Sequence, residues 1–388
     1  MYNILTLNKI AACGTDKLDK NVFAVSDDVK NPDGIILRSF NMHDMELESN
    51  LKAVARAGAG TNNIPIDKCT EKGIVVFNTP GANANAVKEL TLAGLFLASR
   101  KISDGINWAK TLAGEGENVG KLVEKGKSQF AGPEIEGKKL GVIGLGAIGV
   151  MVANAAIHLG MEVIGYDPYI SVDAAWGLSR HIKKASDVND IFAQCDYITI
   201  HVPLNDSTKN MVNKDAFAIM KKGVRLLNFS RGGLVCDADL KEALENETVA
   251  CYVTDFPDEE TLKMKNTVCI PHLGASTEES EDNCAKMAAV ELMNFLIDGN
   301  IVNSVNFPNC SLAREGTLRV TIAHKNVPNC LTSFSNAISK CGINITNMLN
   351  KSKKDAAYTI IDLDHEIKPE IIDELEKLEN VYKVRVIK

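Results

Sequence analysis

The chain has 388 residues, more than one ordinary core holds, so two or three domains are expected. It is 45% hydrophobic, 24% charged and 5% aromatic, with a net charge of −7 and no long basic run. That balance marks a globular protein and excludes a sequence-independent grip on nucleic acid, which needs clustered Lys and Arg.

The first ten residues lack the charged, apolar and cleavable regions of a secretory signal, and no apolar run reaches the roughly 20 residues that span a bilayer. The ten cysteines (13, 69, 195, 236, 251, 269, 284, 310, 330 and 341) show no CxxC and no zinc-like spacing. We read them as reduced thiols of a cytoplasmic protein with no metal site.

Short apolar runs at 34–37, 51–55 and 74–77 read as strands, each followed by turn residues. Residues 86–101 read as a long helix, and the polar 112–138 stretch as a surface connection. From 139 the pattern sharpens. A strand (140–143) leads through a Gly-rich turn into a helix (147–159) and a second strand (161–166), and further strands are expected at 197–202, 224–229, 251–254 and 267–270. This is a doubly wound parallel sheet. Residues 278–297 form a helix. The tail reads strand 317–324, helix 330–341, strands 344–351 and 356–363, helix 369–378 and strand 381–387, the βαββαβ order of a ferredoxin-like module.

Gly144-Leu145-Gly146-Ala147-Ile148-Gly149 matches G-x-G-x-x-G between a strand and a helix. The first Gly permits a tight turn, the second lets backbone approach a pyrophosphate, and the third lets helix pack on strand. Ala147 and Ile148 open the helix, whose N-terminus favours anions. Asp167 ends the next strand, where a carboxylate accepts from the ribose hydroxyls and repels a 2′-phosphate, so NAD is the expected cofactor.

Arg231 follows the strand 224–229, Asp255 follows 251–254 and His272 follows 267–270. Ligands collect at the carboxyl ends of such strands. Oxidising an alcohol needs a base with a pKa near working pH, which His272 supplies. A carboxylate on the imidazole would fix its tautomer, and Arg231 would grip a substrate carboxylate with two prongs.

Residues 56–63, 141–149, 228–233 and 271–277 together resemble the D-2-hydroxyacid dehydrogenases over nearly the whole length, most closely those that oxidise 3-phospho-D-glycerate to 3-phosphooxypyruvate at the start of L-serine synthesis. The resemblance implies two Rossmann-like domains with the active site between them: a discontinuous substrate domain (1–90 and 277–307) and an NAD domain (91–276). It implies an ACT regulatory module (317–388) and a homo-oligomer. His272 would be the acid/base and Arg231 the substrate anchor. The family's D-x-F-x-x-E pattern is one residue short here. Counting from Phe256 gives Glu259 and counting from Asp255 gives Glu260; Glu259 keeps the Phe–Glu spacing and is preferred. Asp255, or Thr254 after the same shift, would face the nicotinamide carboxamide. Arg38, Ser39, Arg56, Gly58 and Asn83 would contact substrate, although Phe40 stands where some bacterial relatives carry a second Arg. His324, Asn326 and Asn344 fall at the family's serine-effector positions, with Asn329 in place of a Gly. Two alternatives remain: a dehydrogenase for another D-2-hydroxy acid, and a non-enzymatic NAD sensor on the same fold.

Overall fold

In the computed structural model, which describes residues 1–340 and 342–388, three sheets organise the chain. Cys341 and the end of the helix expected over 330–341 lie outside the described residues. Contacts divide the chain into two units: Met1–Asn83 with Glu278–Lys388, and Ala84–Thr277.

The first unit opens with a five-stranded parallel sheet in the order β2-β1-β3-β4-β5. Its strands are β1 (Tyr2–Leu7), β2 (Phe23–Ser26), β3 (Gly34–Leu37), β4 (Ala53–Arg56) and β5 (Val75–Asn78). The central strands read as continuous apolar runs because helices or loops cover both faces. The mixed N-terminus hides β1 from a pattern reading. Ile4 is wholly buried in it, while Asn3 spends its backbone N–H on the Asp33 carboxylate. The helix Glu278–Asp298 packs its Ala288, Leu292 and Phe295 face on this sheet.

The second unit holds a seven-stranded parallel sheet in the order β12-β11-β10-β9-β6-β7-β8. The strands are β6 (Lys139–Ile143), β7 (Glu162–Tyr166), β8 (Lys183–Lys184), β9 (Tyr197–Ile200), β10 (Val224–Asn228), β11 (Val249–Thr254) and β12 (Thr267–Cys269). The order reverses at β6, which makes its carboxyl edge the topological switch point. The helix Ala84–Ser99 joins this unit, where Val87, Leu95 and Ala98 pack with Leu227, Phe229 and Val253. The boundary expected at residue 90 would cut that helix; in the structure it falls at 83/84. The stretch 112–138, expected as a plain connection, contains the helix Val119–Gly126 and two 3-10 turns. It follows the helix Ile102–Lys110, whose Trp108 meets Phe130 at 5.3 Å. Neither helix buries a residue, so their polar sequence carried no core periodicity.

The C-terminal module is an antiparallel sheet ordered β14-β15-β13-β16, from β13 (Leu318–Lys325), β14 (Ile345–Lys353), β15 (Ala356–Leu363) and β16 (Val381–Ile387). Helices Cys330–Ser339 and Pro369–Glu376 cover one face. Asn329 takes φ 70° at the entrance to the first, the left-handed geometry that Asn tolerates in place of Gly. The other face is not free. Ala323, Tyr358 and Ile360 share a core with Phe77, Phe295 and Phe307, so the module merges with the first unit.

A buried ion pair fastens that junction. Arg319 and Asp362 face each other across β13 and β15, both wholly buried. The guanidinium donates Nε–H to Oδ1 at 2.6 Å and one Nη2–H to Oδ2 at 2.8 Å. Its remaining N–H groups reach the carbonyls of Asp298, Leu312 and Ala313. Every guanidinium proton therefore has an acceptor, the condition under which a buried pair repays its desolvation.

Asp362→Asn should cost about 3–5 kcal/mol, because it leaves a buried guanidinium without a counter-charge; denaturant unfolding of the full chain measures it. On the helix Glu278–Asp298, burial pushes the Glu291 carboxyl up to about 8, against a hydrogen bond from Asn303. The folded state therefore holds this proton more tightly than the unfolded chain. Its contribution is complete below the ordinary carboxylate range and is lost as pH rises toward 8. Glu291→Gln should flatten the fall in melting temperature between about pH 5 and 8.

Candidate active site

The second unit carries the cofactor turn. Gly144 takes φ 92°, and a Cβ there would stand 2.5 Å from the His201 carbonyl oxygen. A Cβ on Gly149 would collide with the Gly144 carbonyl, so these two positions exclude side chains by packing. A Cβ on Gly146 would meet nothing within 4 Å, which leaves room for a ligand to approach the backbone. Gly146 caps the helix Ala147–His158 without any side-chain acceptor, so Ala147 and Ile148 begin a helix end suited to a phosphate. Asp167, just past β7, accepts from the backbone N–H of Leu145 at 2.8 Å and of Tyr169 at 2.8 Å. It thus sets the turn. These residues fit a dinucleotide.

Arg231 leaves β10 in a turn that Asn228 organises. The Asn228 amide donates to the Arg231 carbonyl at 2.8 Å, and its Oδ1 accepts from Ser230 N–H at 3.1 Å. Phe256 meets both expected catalytic groups: its ring centroid is 4.6 Å from that of His272 and 5.9 Å from the Arg231 guanidinium carbon. Asp255 is buried, and its Oδ2 accepts from Gly274 N–H at 3.1 Å. Burial raises this carboxyl above its ordinary value, while the Gly274 bond and the positive charges of His272 and Arg231 pull it back. Arg231, Asp255 and His272 are therefore brought together.

Glu259 is not brought to the imidazole. Its side chain is 80% exposed and pairs with Lys263 at 2.8 Å; Glu260 meets the same lysine at 3.5 Å. Asp258 holds the turn in this form. It accepts from Thr261 N–H at 2.7 Å and shares a hydrogen bond with Asp237. Thr254, the alternative to Asp255, is wholly buried and accepts from Phe256 N–H.

In the first unit, Arg38 and Ser39 follow β3, and Arg56 ends β4. Arg56 Nε donates to the Arg38 carbonyl at 3.1 Å, and its guanidinium crosses Gly58 so closely that a Cβ there would collide. Arg38 pairs with Glu281 at 2.6 Å. Asn83 is half-buried at the end of the unit. Sequence reasoning missed Asn8. Its Oδ1 accepts from the N–H groups of Arg38, Ser39 and Phe40, and the residue sits at φ 77°. It also missed His201, whose place directly after a strand was the available signal. That imidazole is half-buried, its Nδ1 is buried with no partner among the described residues, and desolvation lowers its pKa to about 4.

The effector trio does not converge within one chain. His324 is buried with Nε2 on the Thr359 and Asn350 side chains, at 2.9 and 3.2 Å. Asn326 is exposed and donates to the Lys354 carbonyl. Asn344 lies beside Asp364, at the other end of the sheet. The register pairs His324 with Ala357 but Leu318 with Leu363, a separation of about 20 Å along the strand. Equal sequence spacing in a resemblance does not place side chains on one patch.

Residues 92–274 match the model of the D-isomer specific 2-hydroxyacid dehydrogenase NAD binding domain. D-3-phosphoglycerate dehydrogenase of Methanocaldococcus jannaschii is 34% identical over 300 residues, covering 75% of this chain and 55% of that protein. Its counterpart in Bacillus subtilis is 32% identical over 327 residues, covering 79% and 59%. The chain thus spans little more than half the length of these curated relatives. Rhodotorula graminis D-mandelate dehydrogenase aligns with a TM-score of 0.67 at 21% identity, over 80% of this chain and 99% of that one. NAD⁺-bound 3-phosphoglycerate dehydrogenase of Entamoeba histolytica aligns with 0.59 at 24%, over 79% and 98%; at such identities the likeness shows the fold. The chain belongs to the D-2-hydroxyacid dehydrogenases and carries their NAD-binding domain. No helix among the described residues is long and apolar enough to cross a membrane.

Asp167→Ala removes the acceptor that holds Leu145 and Tyr169. NAD affinity should fall by about tenfold, and discrimination against NADP should narrow; fluorescence titration with NADH and NADPH reads both.

Proposed function

We propose that this chain oxidises a D-2-hydroxy acid with NAD, and that 3-phospho-D-glycerate is its substrate. The observation that carries the reaction type is the cluster of Arg231 and His272 about the Phe256 ring, past the ends of β10, β12 and the β11 strand between them. The His272 imidazole takes the hydroxyl proton of the substrate and returns it in the reverse direction. The glycine turn Gly144–Gly149 and Asp167 would hold NAD, which would supply the hydride acceptor for C2. The Arg231 guanidinium holds the substrate carboxylate and polarises the C2 oxygen. The names of the relatives support the phosphorylated substrate, and the cations Arg38 and Arg56, with Ser39, Gly58 and Asn83, are the residues proposed to bind it.

The ferredoxin-like topology of the C-terminal module supports an amino-acid-binding regulatory role with L-serine as effector; because His324 and Asn326 lie about 20 Å from Asn344 within one chain, a single site on all three would draw them from two copies. A homo-oligomer is part of this reading.

Purified chain assayed with NAD against a panel of D-2-hydroxy acids, with and without L-serine, tests all of this. The highest kcat/KM is expected on 3-phospho-D-glycerate, with inhibition by L-serine. His272→Ala should keep NADH binding and lose on the order of 10²–10⁴ in kcat. Binding of NADH with no turnover on any member of the panel would replace the enzyme reading with that of an NAD sensor.

A further inference from the structure

We propose that the cavity beside the helix Glu278–Asp298 is a binding site for a primary ammonium group, with the Glu291 carboxylate as its counter-ion. The residues that line it all belong to the first unit, and none is assigned above to cofactor, substrate or effector. The proposal is therefore independent of the dehydrogenase reading.

The helix carries Asn283, Met287, Glu291 and Asn294 at spacings of four, four and three, one stripe of its surface. That stripe lines a cavity of about 580 Å³, with Val302 and Asn303 on the other side. The volume falls within the roughly 300–1,000 Å³ of small-molecule pockets. Glu291 is 6% exposed. Its Oε1 accepts from the Asn303 amide at 2.7 Å, while Oε2 is buried with no hydrogen-bond partner among the described residues. The other buried acids of the first unit differ: Asp33 and Asp362 each have a donor on both oxygens. A buried carboxyl oxygen without a donor is costly, and a ligand entering the cavity would bring one.

The missing partner is a donor that also carries positive charge. Burial pushes the carboxyl up to about 8, and the group that opposes this is a neutral amide, not a cation. Lys286, the other ionisable residue lining the cavity among the described residues, is paired with Asp282 at 3.6 Å. Without ligand, Glu291 therefore keeps its proton near neutral pH. A primary ammonium has three N–H donors: the carboxylate takes one or two, and the amide oxygens of Asn283 and Asn294 are acceptors for the rest. On binding, the Glu291 proton leaves to solvent and the ammonium takes its place, so the net charge of the site is unchanged. Two kinds of molecule carry such a group: a simple amine, and an α-amino acid whose carboxylate Lys286 would take.

Isothermal titration calorimetry of the full chain, in buffers free of primary amines, tests this with ethanolamine, glycine and trimethylglycine as probes. Ethanolamine and glycine should bind wild type and release a proton, read from the dependence of the heat on the buffer. Trimethylglycine, a cation without N–H, should not bind. The ionised fraction of Glu291 rises with pH, so affinity should be roughly fivefold to tenfold higher at pH 9 than at pH 7. Glu291→Gln keeps an acceptor for Asn303 and should weaken both ligands by about tenfold or more. Val302→Trp fills the cavity and leaves the carboxyl in place; it should do the same. Glycine binding tighter than ethanolamine, with the difference lost in Lys286→Met, makes the carrier an amino acid; glycine binding no tighter makes it a simple amine, and both results support the site. Glycine held by the C-terminal module instead would bind both variants undiminished. Affinity kept within about threefold of wild type in either Glu291→Gln or Val302→Trp overturns the proposal. So does trimethylglycine binding as well as glycine, or no binding of either amine to wild type. Should Glu291→Gln not fold, Val302→Trp and the proton release decide it.

Discussion

Parallel pairing constrains everything else in this molecule. In a parallel sheet all carboxyl ends lie on one edge, so whatever follows each strand is delivered to the same place. In the second unit, Gly144 follows β6, Asp167 follows β7, His201 follows β9, Arg231 comes after β10, Asp255 follows β11 and His272 comes after β12. Residues separated by more than a hundred positions become neighbours without contacting one another in sequence. The first unit repeats the device, with Asn8 after β1, Arg38 after β3 and Arg56 at the end of β4.

The residues at that edge then need supports. Most of these are small polar groups spending hydrogen bonds on backbone. Asn8 holds three consecutive N–H groups, Asn228 shapes the turn that presents Arg231, and Asp167 ties the glycine turn to its own strand end. Each replaces solvent for buried or half-buried backbone and removes freedom from a loop that would otherwise lose it on binding. His201 differs. Half-buried and neutral, it keeps a buried ring nitrogen without a partner among the described residues, beside the glycine turn.

The C-terminal module shows the opposite economy. Its sheet is covered on both faces, by its own helices and by the core around Phe295 and Phe307. Arg385 adds to the junction by donating to the carbonyls of Phe295 and Leu296 with its guanidinium over the Phe295 ring. Together with the Arg319–Asp362 pair, this makes the module continuous with the first unit rather than an appendage, so packing strain in one is felt in the other.

The sequence by itself determined the sheet of the second unit and its cofactor turn, because buried parallel strands are apolar runs punctuated by glycine and polar strand ends, and both signals are local. The βαββαβ order of the tail was legible for the same reason. It did not reveal β1, whose alternating polar residues are satisfied by distant partners, nor the helices over 102–126, which bury nothing and so carry no periodicity. Only the tertiary structure decided that Asp255 is tied to Gly274, that Glu259 and Glu260 meet Lys263, and that the expected effector residues lie apart within one chain. Spacing along a chain fixes neither the parity of a strand exit nor the register between strands; packing and hydrogen bonding across the sheet do.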